Sequence, residues 1–390
     1  MRIVHIITRL IVGGAQENTL LSCRGQHEHG HEVTLITGPP LGPEGSLLER
    51  AEQHGFKIEI VDAMRRAILP VKDWRTYQQL TARLKELKPD VVHTHSSKAG
   101  IIGRWAAHRA GAGAIIHTIH GLAFTASTRA SVNGVYRMLE RKTAPITDKI
   151  VCVADAMMRQ SLAANIGRAD QYVTVFSGME TEPFLNPPVA PAEVRTSLGF
   201  EEKHVVVGTI ARLFDLKGHD DLLAIAPELC GRFENLRFLW IGDGSLRAAL
   251  EAQIASLGLK DRFVLTGLVP PQRVPELTGA MDILVHPSRR EGLARALAQG
   301  ALAGKPTVAY DIDGNREGMI DQQSGFILPP FDRQTLSNAI ARLVADADLR
   351  RAMGANGRKF ALGRFDARVM VAALEKVYAA VLDRKGLSAN

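Results

Sequence analysis

Short apolar, β-branched runs alternate with longer amphipathic stretches along almost all of the 390 residues. The first part of the chain carries RIVHII, EVTLIT, KIEIV, DVVHTH, AIIHTIH, KIVCVAD and YVTVF. Near-continuous apolar runs of this length predict parallel strands covered by helices on both faces. The stretch DWRTYQQLTARLKELK predicts a helix whose inner face carries Trp74, Tyr77, Leu80, Leu84 and Leu87, at three- and four-residue steps. Pro89 stops it. From residue 204 the alternation restarts with HVVVGTIA, LRFLWIG, RFVLTG, DILVHP, KPTVAY and GFILP. Helical patterns over 332–346, 348–361 and 366–384 follow.

Between the two series stand Pro183, Pro187, Pro188 and Pro191. Such a cluster suits neither a helix interior nor a central strand, and it marks 183–192 as a linker. The expected organisation is α/β. A doubly wound, Rossmann-like domain over 1–182 faces a second over 193–365 across a cleft, and residues 366–390 form a helix packing back on the first. Ligands of such sheets bind at the carboxyl ends of the strands.

Composition adds limits. Hydrophobic residues make up 46% and charged residues 23%, as in soluble globular proteins. No run of 18 apolar residues occurs, so no membrane-spanning helix is expected. The start, MRIVHIITRLIVGGAQEN, reads as a first strand and a Gly-Gly turn rather than a signal peptide, which makes the cytoplasm the expected location. Cys23, Cys152 and Cys230 are scattered and read as small buried apolar residues. The net charge of +7 favours anionic partners, with 22 basic against 17 acidic residues in 1–186. Nucleic acid is disfavoured, because no aromatic–basic interleaving or recognition helix is present.

The candidate chemistry lies where strands end. Gly13 and Gly14 follow the first strand and open a helix, which suits close approach of an anion as well as a plain tight turn. This is no GxGxxG fingerprint, and a nicotinamide enzyme is disfavoured. After HVVVGTIA come Arg212 and, five residues on, Lys217-Gly218. The two cations suit a diphosphate clamp; the alternative is surface pairing with Asp215 or Asp220. After DILVHPS comes Glu291, followed by Gly292 and Leu293. A carboxylate there suits sugar hydroxyls, or it is an ordinary helix-start Glu. His93, His95, His108, His117 and His120 cluster in sequence, but no Cys or carboxylate completes a metal set among them. The stretch SVNGVYRMLERKTA, after Arg129, reads as a basic amphipathic helix that touches a membrane or, alternatively, buries its apolar stripe.

Taken in order, these motifs resemble the family 4 glycosyltransferases of the GT-B fold. HTHSSKAGIIGRWAAHRAG and HTIHGLAF are similar to the first domain of bacterial members that build envelope polysaccharides, and IGDGSLRAALEAQIASLGL and TGLVPPQRVPEL to the second. The resemblance implies a retaining transfer of a hexose or N-acetylhexosamine from a nucleotide-diphosphate sugar, UDP before GDP, to a glycan or lipid-linked acceptor. It implies no metal and no other cofactor, and a cytoplasmic protein at the inner face of the membrane. Gly13 and Gly14 would approach the donor phosphates. Arg212 and Lys217 would hold the diphosphate. Glu291, with the backbone of Gly292 and Leu293, would hold the donor sugar, and His120 would lie beside it. Where the family usually has a second Glu gripping the ribose, this chain has Gln299, which puts the strength of nucleotide binding in doubt. His95, Lys98 and Glu317 are further expected contacts to sugar or acceptor, with His95 and His120 at strand ends facing the cleft. The loops 63–73 and 124–134 are expected to carry acceptor choice. Alternatives are another GT-B enzyme, such as a sugar-nucleotide epimerase or phosphorylase, and a non-catalytic nucleotide-binding subunit.

Overall fold

The computed structural model describes residues 1–42, 45–124 and 129–387. They divide into two compact units. The first is Met1–Met179 together with the chain from Ala367 onward, and the second is Glu180–Asp366.

The first unit holds a seven-stranded sheet. Its strands are β1 (Arg2–Ile7), β2 (Glu32–Thr37), β3 (Lys57–Ile60), β4 (Val91–His95), β5 (Ala114–Ile119), β6 (Lys149–Cys152) and β7 (Tyr172–Thr174). They lie in the order β3-β2-β1-β4-β5-β6-β7, and every pairing is parallel. β1, β4 and β5 are buried almost throughout, which is why their sequences are apolar on both faces. The helix Ala367–Arg384 lies in this unit. Its Leu374, Tyr378 and Val381 share a core cluster with Ile3, Val91 and Ile116. A Cβ on Gly25, in the helix Gly14–Glu28, would sit 2.6 Å from a Val371 methyl, so the two helices approach closely at that glycine.

The second unit holds β8 (Val205–Ile210), β9 (Leu236–Ile241), β10 (Phe263–Leu265), β11 (Ile283–His286), β12 (Thr307–Tyr310) and β13 (Gly325–Leu328). Their order is β10-β9-β8-β11-β12-β13, again all parallel. Both sheets are doubly wound and Rossmann-like. In each, strand order reverses direction beside the first strand of the unit, which is where ligands of such sheets bind. Asp332 and Asp346 cap the helices Arg333–Ala345 and Ala347–Phe365 by accepting from the Thr335 and Leu349 amides. The stretch 183–192 meets two short helices, Glu182–Leu185 and Pro191–Ser197, with Pro183 and Pro191 in their first turns.

Two readings need correction. In the helix Pro70–Leu87, Leu80 and Leu84 are buried but Trp74 is 60% exposed. At ~100° per residue Trp74 stands about 120° around the helix from Leu80, and Thr76 takes the inner face instead. In the helix Ala130–Thr143 the apolar stripe is not buried as a whole: Val135 and Met138 are exposed, and Leu139 is half-buried. The three cysteines are buried and free.

Candidate functional site

In the second unit β8 ends at Ile210, and the chain passes through Arg212 into a tight turn over Asp215–Lys217. Gly218 follows with φ +73 and starts the helix His219–Arg232. A Cβ there would lie 2.0 Å from the Pro287 carbonyl oxygen, so only glycine lets this turn meet the loop after β11. That loop is fastened to the turn. The Arg289 amide donates to the Leu216 carbonyl at 2.8 Å, and the Ser288 hydroxyl donates to the same oxygen at 3.0 Å.

The result is a compact charged cluster. Lys217 Nζ donates to Glu291 Oε1, and His286 Nε2 lies 2.8 Å from the same oxygen. The Glu291 amide donates to Asp313 Oδ2 at 2.9 Å. Burial pushes the Glu291 carboxyl up, but the hydrogen bond and charge of His286, and then Lys217, outweigh it and bring the carboxyl down to about 2. Glu291 is therefore ionised at neutral pH.

Arg212 is exposed, with its guanidinium 5.0 Å from the Phe214 ring centroid. It makes no ion pair among the described residues. The alternative pairing with Asp215 or Asp220 does not occur. Asp220 is held by Arg289 and Arg333, which also hold the buried Asp221 at 3.0 and 2.6 Å. Gln299 is half-buried in the helix Arg295–Leu302, which Gly292 and Leu293 precede with Ala294 between. The Gly292 carbonyl accepts from the Gly314 amide at 3.1 Å. Glu317 lies in the turn Asn315–Gly318 and lines a concavity with Arg316, Met319, Ile320, Phe360 and Arg364, a different set of neighbours from those around Glu291.

In the first unit Gly13 caps the helix Gly14–Glu28, and Gly14 is exposed. His120 is half-buried just beyond β5. His95, expected to face a ligand, is instead fully buried, with its nitrogens 3.0 Å from His120 and 2.9 Å from His5. β4 is covered on both faces, so a residue at its last position touches neighbouring side chains before it touches solvent. Lys98 is also occupied. It forms an ion pair with Asp73 at 2.5 Å and donates to the Ala67 carbonyl. His117 is packed, 3.1 Å from the Thr94 carbonyl. Part of the loop 124–134 falls on residues 125–128, outside the described residues.

Sequence reasoning gave no role to His286, Asp313 or His5. His286 ends a strand five residues before Glu291, which was the one available signal. Nothing in sequence linked Asp313 to Glu291 or His5 to His95. His5, His93 and His95 bring ring nitrogens within 4.8 Å of one another, so a three-histidine set exists that the search for a Cys or carboxylate overlooked. Each of their nitrogens already takes part in a hydrogen bond.

An exposed arginine, a lysine and an ionised carboxylate at the strand ends of a Rossmann-like sheet suit an enzyme that binds a nucleotide diphosphate and transfers what it carries. Residues 13–178 match the family model for a glycosyl transferase 4-like domain, and 192–360 match that for glycosyl transferases group 1. The chain belongs to the family 4 glycosyltransferases and is a glycosyltransferase acting on nucleotide sugars. It is 27% identical over 350 residues to the UDP-Gal:alpha-D-GlcNAc-diphosphoundecaprenol alpha-1,3-galactosyltransferase of Escherichia coli, covering 89% of this chain and 88% of that protein. It is 27% identical over 278 residues to a GDP-mannose-dependent alpha-(1-6)-phosphatidylinositol monomannoside mannosyltransferase of Mycolicibacterium smegmatis, covering 70% and 71%. HepE of Anabaena, solved in complex with UDP and glucose, has the same fold, with a TM-score of 0.83 at 20% identity over 97% of this chain and 100% of that one.

Proposed function

We propose that the chain is a retaining hexosyltransferase that takes its sugar from a UDP-sugar and passes it to a glycan or lipid-linked acceptor. The observation that carries this is the pairing of Lys217 with the ionised Glu291, together with an exposed Arg212 five residues before Lys217 that holds no carboxylate. An arriving diphosphate competes with Glu291 for Lys217 and takes up Arg212. As the glycosidic bond to phosphate breaks, both cations stabilise the developing charge, so no metal is needed for that task. Glu291, released in part from Lys217, accepts hydrogen bonds from sugar hydroxyls. Asp313 is committed to the Glu291 amide, so the acceptor hydroxyl passes its proton to the departing phosphate on the same face, which retains configuration. Gln299 contacts the ribose, and His120, just beyond β5 of the first unit, contacts a sugar hydroxyl. UDP and a diphosphoundecaprenol acceptor are in the name of the Escherichia coli relative, which supports this donor and acceptor class.

A lipid-linked acceptor calls for approach to a membrane surface. Exposed Ile68, Val71 and Trp74 stand among Arg66, Lys72 and Arg75, and exposed Val135 and Met138 stand beside Arg137. Ile68 lies just before the helix Pro70–Leu87, and that helix and Ala130–Thr143 both pack against the helix Ser97–Ala110. Mixed apolar and basic surface of this kind suits peripheral contact with an anionic bilayer. No helix among the described residues is long and apolar enough to cross one.

Calorimetric titration with UDP tests the donor site. Arg212→Ala and Lys217→Ala should each weaken binding by about 10–100-fold, the loss of one charge-assisted contact of ~1.5–3 kcal/mol, while circular dichroism stays unchanged. Unchanged affinity in both variants would overturn the clamp.

A further inference from the structure

The register of β1 on β4 sets His5 opposite His93, and a run of buried polar side chains continues from there to His120. Gln26 Oε1 lies 2.7 Å from His5 Nε2. An amide oxygen only accepts, so His5 carries its proton on Nε2 and accepts at Nδ1. There His95 Nε2–H donates at 2.9 Å, which leaves His95 Nδ1 to accept from His120 Nε2–H at 3.0 Å. On the other side Gln26 Nε2–H donates to the Tyr378 oxygen at 3.1 Å. The Tyr378 hydroxyl then donates to His93 Nδ1 at 2.5 Å, and His93 Nε2–H donates to Thr118 Oγ1 at 2.6 Å. From His120 to Thr118 every link is a donor meeting an acceptor, all in one direction. Gln26 sets that direction, because its two ends differ chemically.

We propose that His95, His5, Gln26 and Tyr378 are positioning residues that fix His120 as the Nε2–H tautomer, which makes Nδ1 its acceptor nitrogen. The functional role rests on the reading of His120 as a sugar contact given above; the tautomer does not. Burial keeps the three inner rings neutral. It holds His5 down at about 4, and His93 and His95 well below the usual histidine range. A neutral imidazole has one N–H and one lone pair, so no ring can turn its tautomer alone without setting two donors or two acceptors against each other. Reversal requires the amide to flip and every proton to move together. The chain therefore couples a group beyond β5 to Tyr378, on the helix Ala367–Arg384.

The test is a long-range proton–nitrogen correlation spectrum of the protein labelled with [15N]histidine at neutral pH, with His120 assigned by His120→Gln. The wild type should show His5, His95 and His120 protonated on Nε2. In His95→Phe and Tyr378→Phe, His120 should average over both tautomers. His120 protonated on Nδ1 in the wild type would overturn the proposal, and this result needs no variant to fold. An unchanged His120 signal in a folded His95→Phe would also overturn it. So would resonances of His5, His93 and His95 that move together when Zn2+ is added to chelator-treated protein, because those rings would then be metal ligands. UDP calorimetry on the same samples stands apart: a wild type that binds no UDP would refute the donor reading and leave the tautomer result intact.

Discussion

The cluster around Glu291 makes a quantitative prediction. Its carboxyl falls from 4.5 to about 2 on folding. At 1.36 kcal/mol per pKa unit this contributes about 3 kcal/mol to the stability of the second unit. The sign follows from the direction of the shift. A depressed carboxyl stabilises fully above its unfolded pKa of 4.5 and loses that stabilisation as pH falls through about 2. Glu291→Gln removes the charge while keeping an acceptor near His286 and Lys217. The variant should be less stable than the parent at pH 7 by up to about 3 kcal/mol, and the gap should close steadily below pH 4.5. The protein has three tryptophans, and Trp240 lies fully buried in the second unit. In a Trp74→Phe, Trp105→Phe background, urea unfolding followed by tryptophan fluorescence therefore reports on that unit alone, whatever the first unit does. A difference below about 0.5 kcal/mol at pH 7, or one that is the same at pH 6 and pH 3, would refute the assignment of Glu291 as a paired, ionised group.

Further outcomes follow from other positions. Gln299→Glu should tighten UDP binding by up to about tenfold if residue 299 meets the ribose diol; calorimetry showing no gain would remove Gln299 from the site. Gly218→Ala should lower stability by at least ~1–2 kcal/mol from the positive φ alone, and more from the overlap with the Pro287 carbonyl. Because it shifts Lys217, it should weaken UDP binding as well; a variant with normal melting temperature and affinity would contradict the described turn. Paired Val71→Ser and Trp74→Ser substitutions should reduce co-sedimentation with phosphatidylglycerol vesicles without changing UDP affinity; equal sedimentation would dismiss the 68–74 surface as a membrane contact.

The two sheets were legible in sequence because their strands are buried on both faces and so read as unbroken apolar runs. That Arg212, Lys217 and Glu291 lie just past strand ends was legible for a related reason: each follows such a run. What could not be read was pairing. Lys217 and Glu291 meet because Gly218 admits the Pro287 carbonyl, a contact between segments distant in sequence. His5 and His95 meet through the β1–β4 register, which no local pattern encodes. Trp74 was misplaced because three- and four-residue steps tolerate drift, and its position lies a third of a turn from the buried stripe. His95 was misjudged because the end of a strand was equated with exposure, whereas β4 is buried to its last residue and paired with β5 up to it.

The helix Ala367–Arg384 also bears on how the protein is made. In order of synthesis, the whole of the second unit emerges before this helix exists, yet Leu374, Tyr378 and Val381 complete the core of the first unit. Until they arrive, Ile3, Val91 and Ile116 lack part of their covering, and the nascent first unit presents an open apolar face to the ribosome exit and to chaperones. The second unit, being contiguous in sequence, has no such wait. Translation of this chain should thus produce an assembled second unit while the first is still unfinished. A premature stop just after Asp366 would yield a product with one sound half and one half marked for proteolysis.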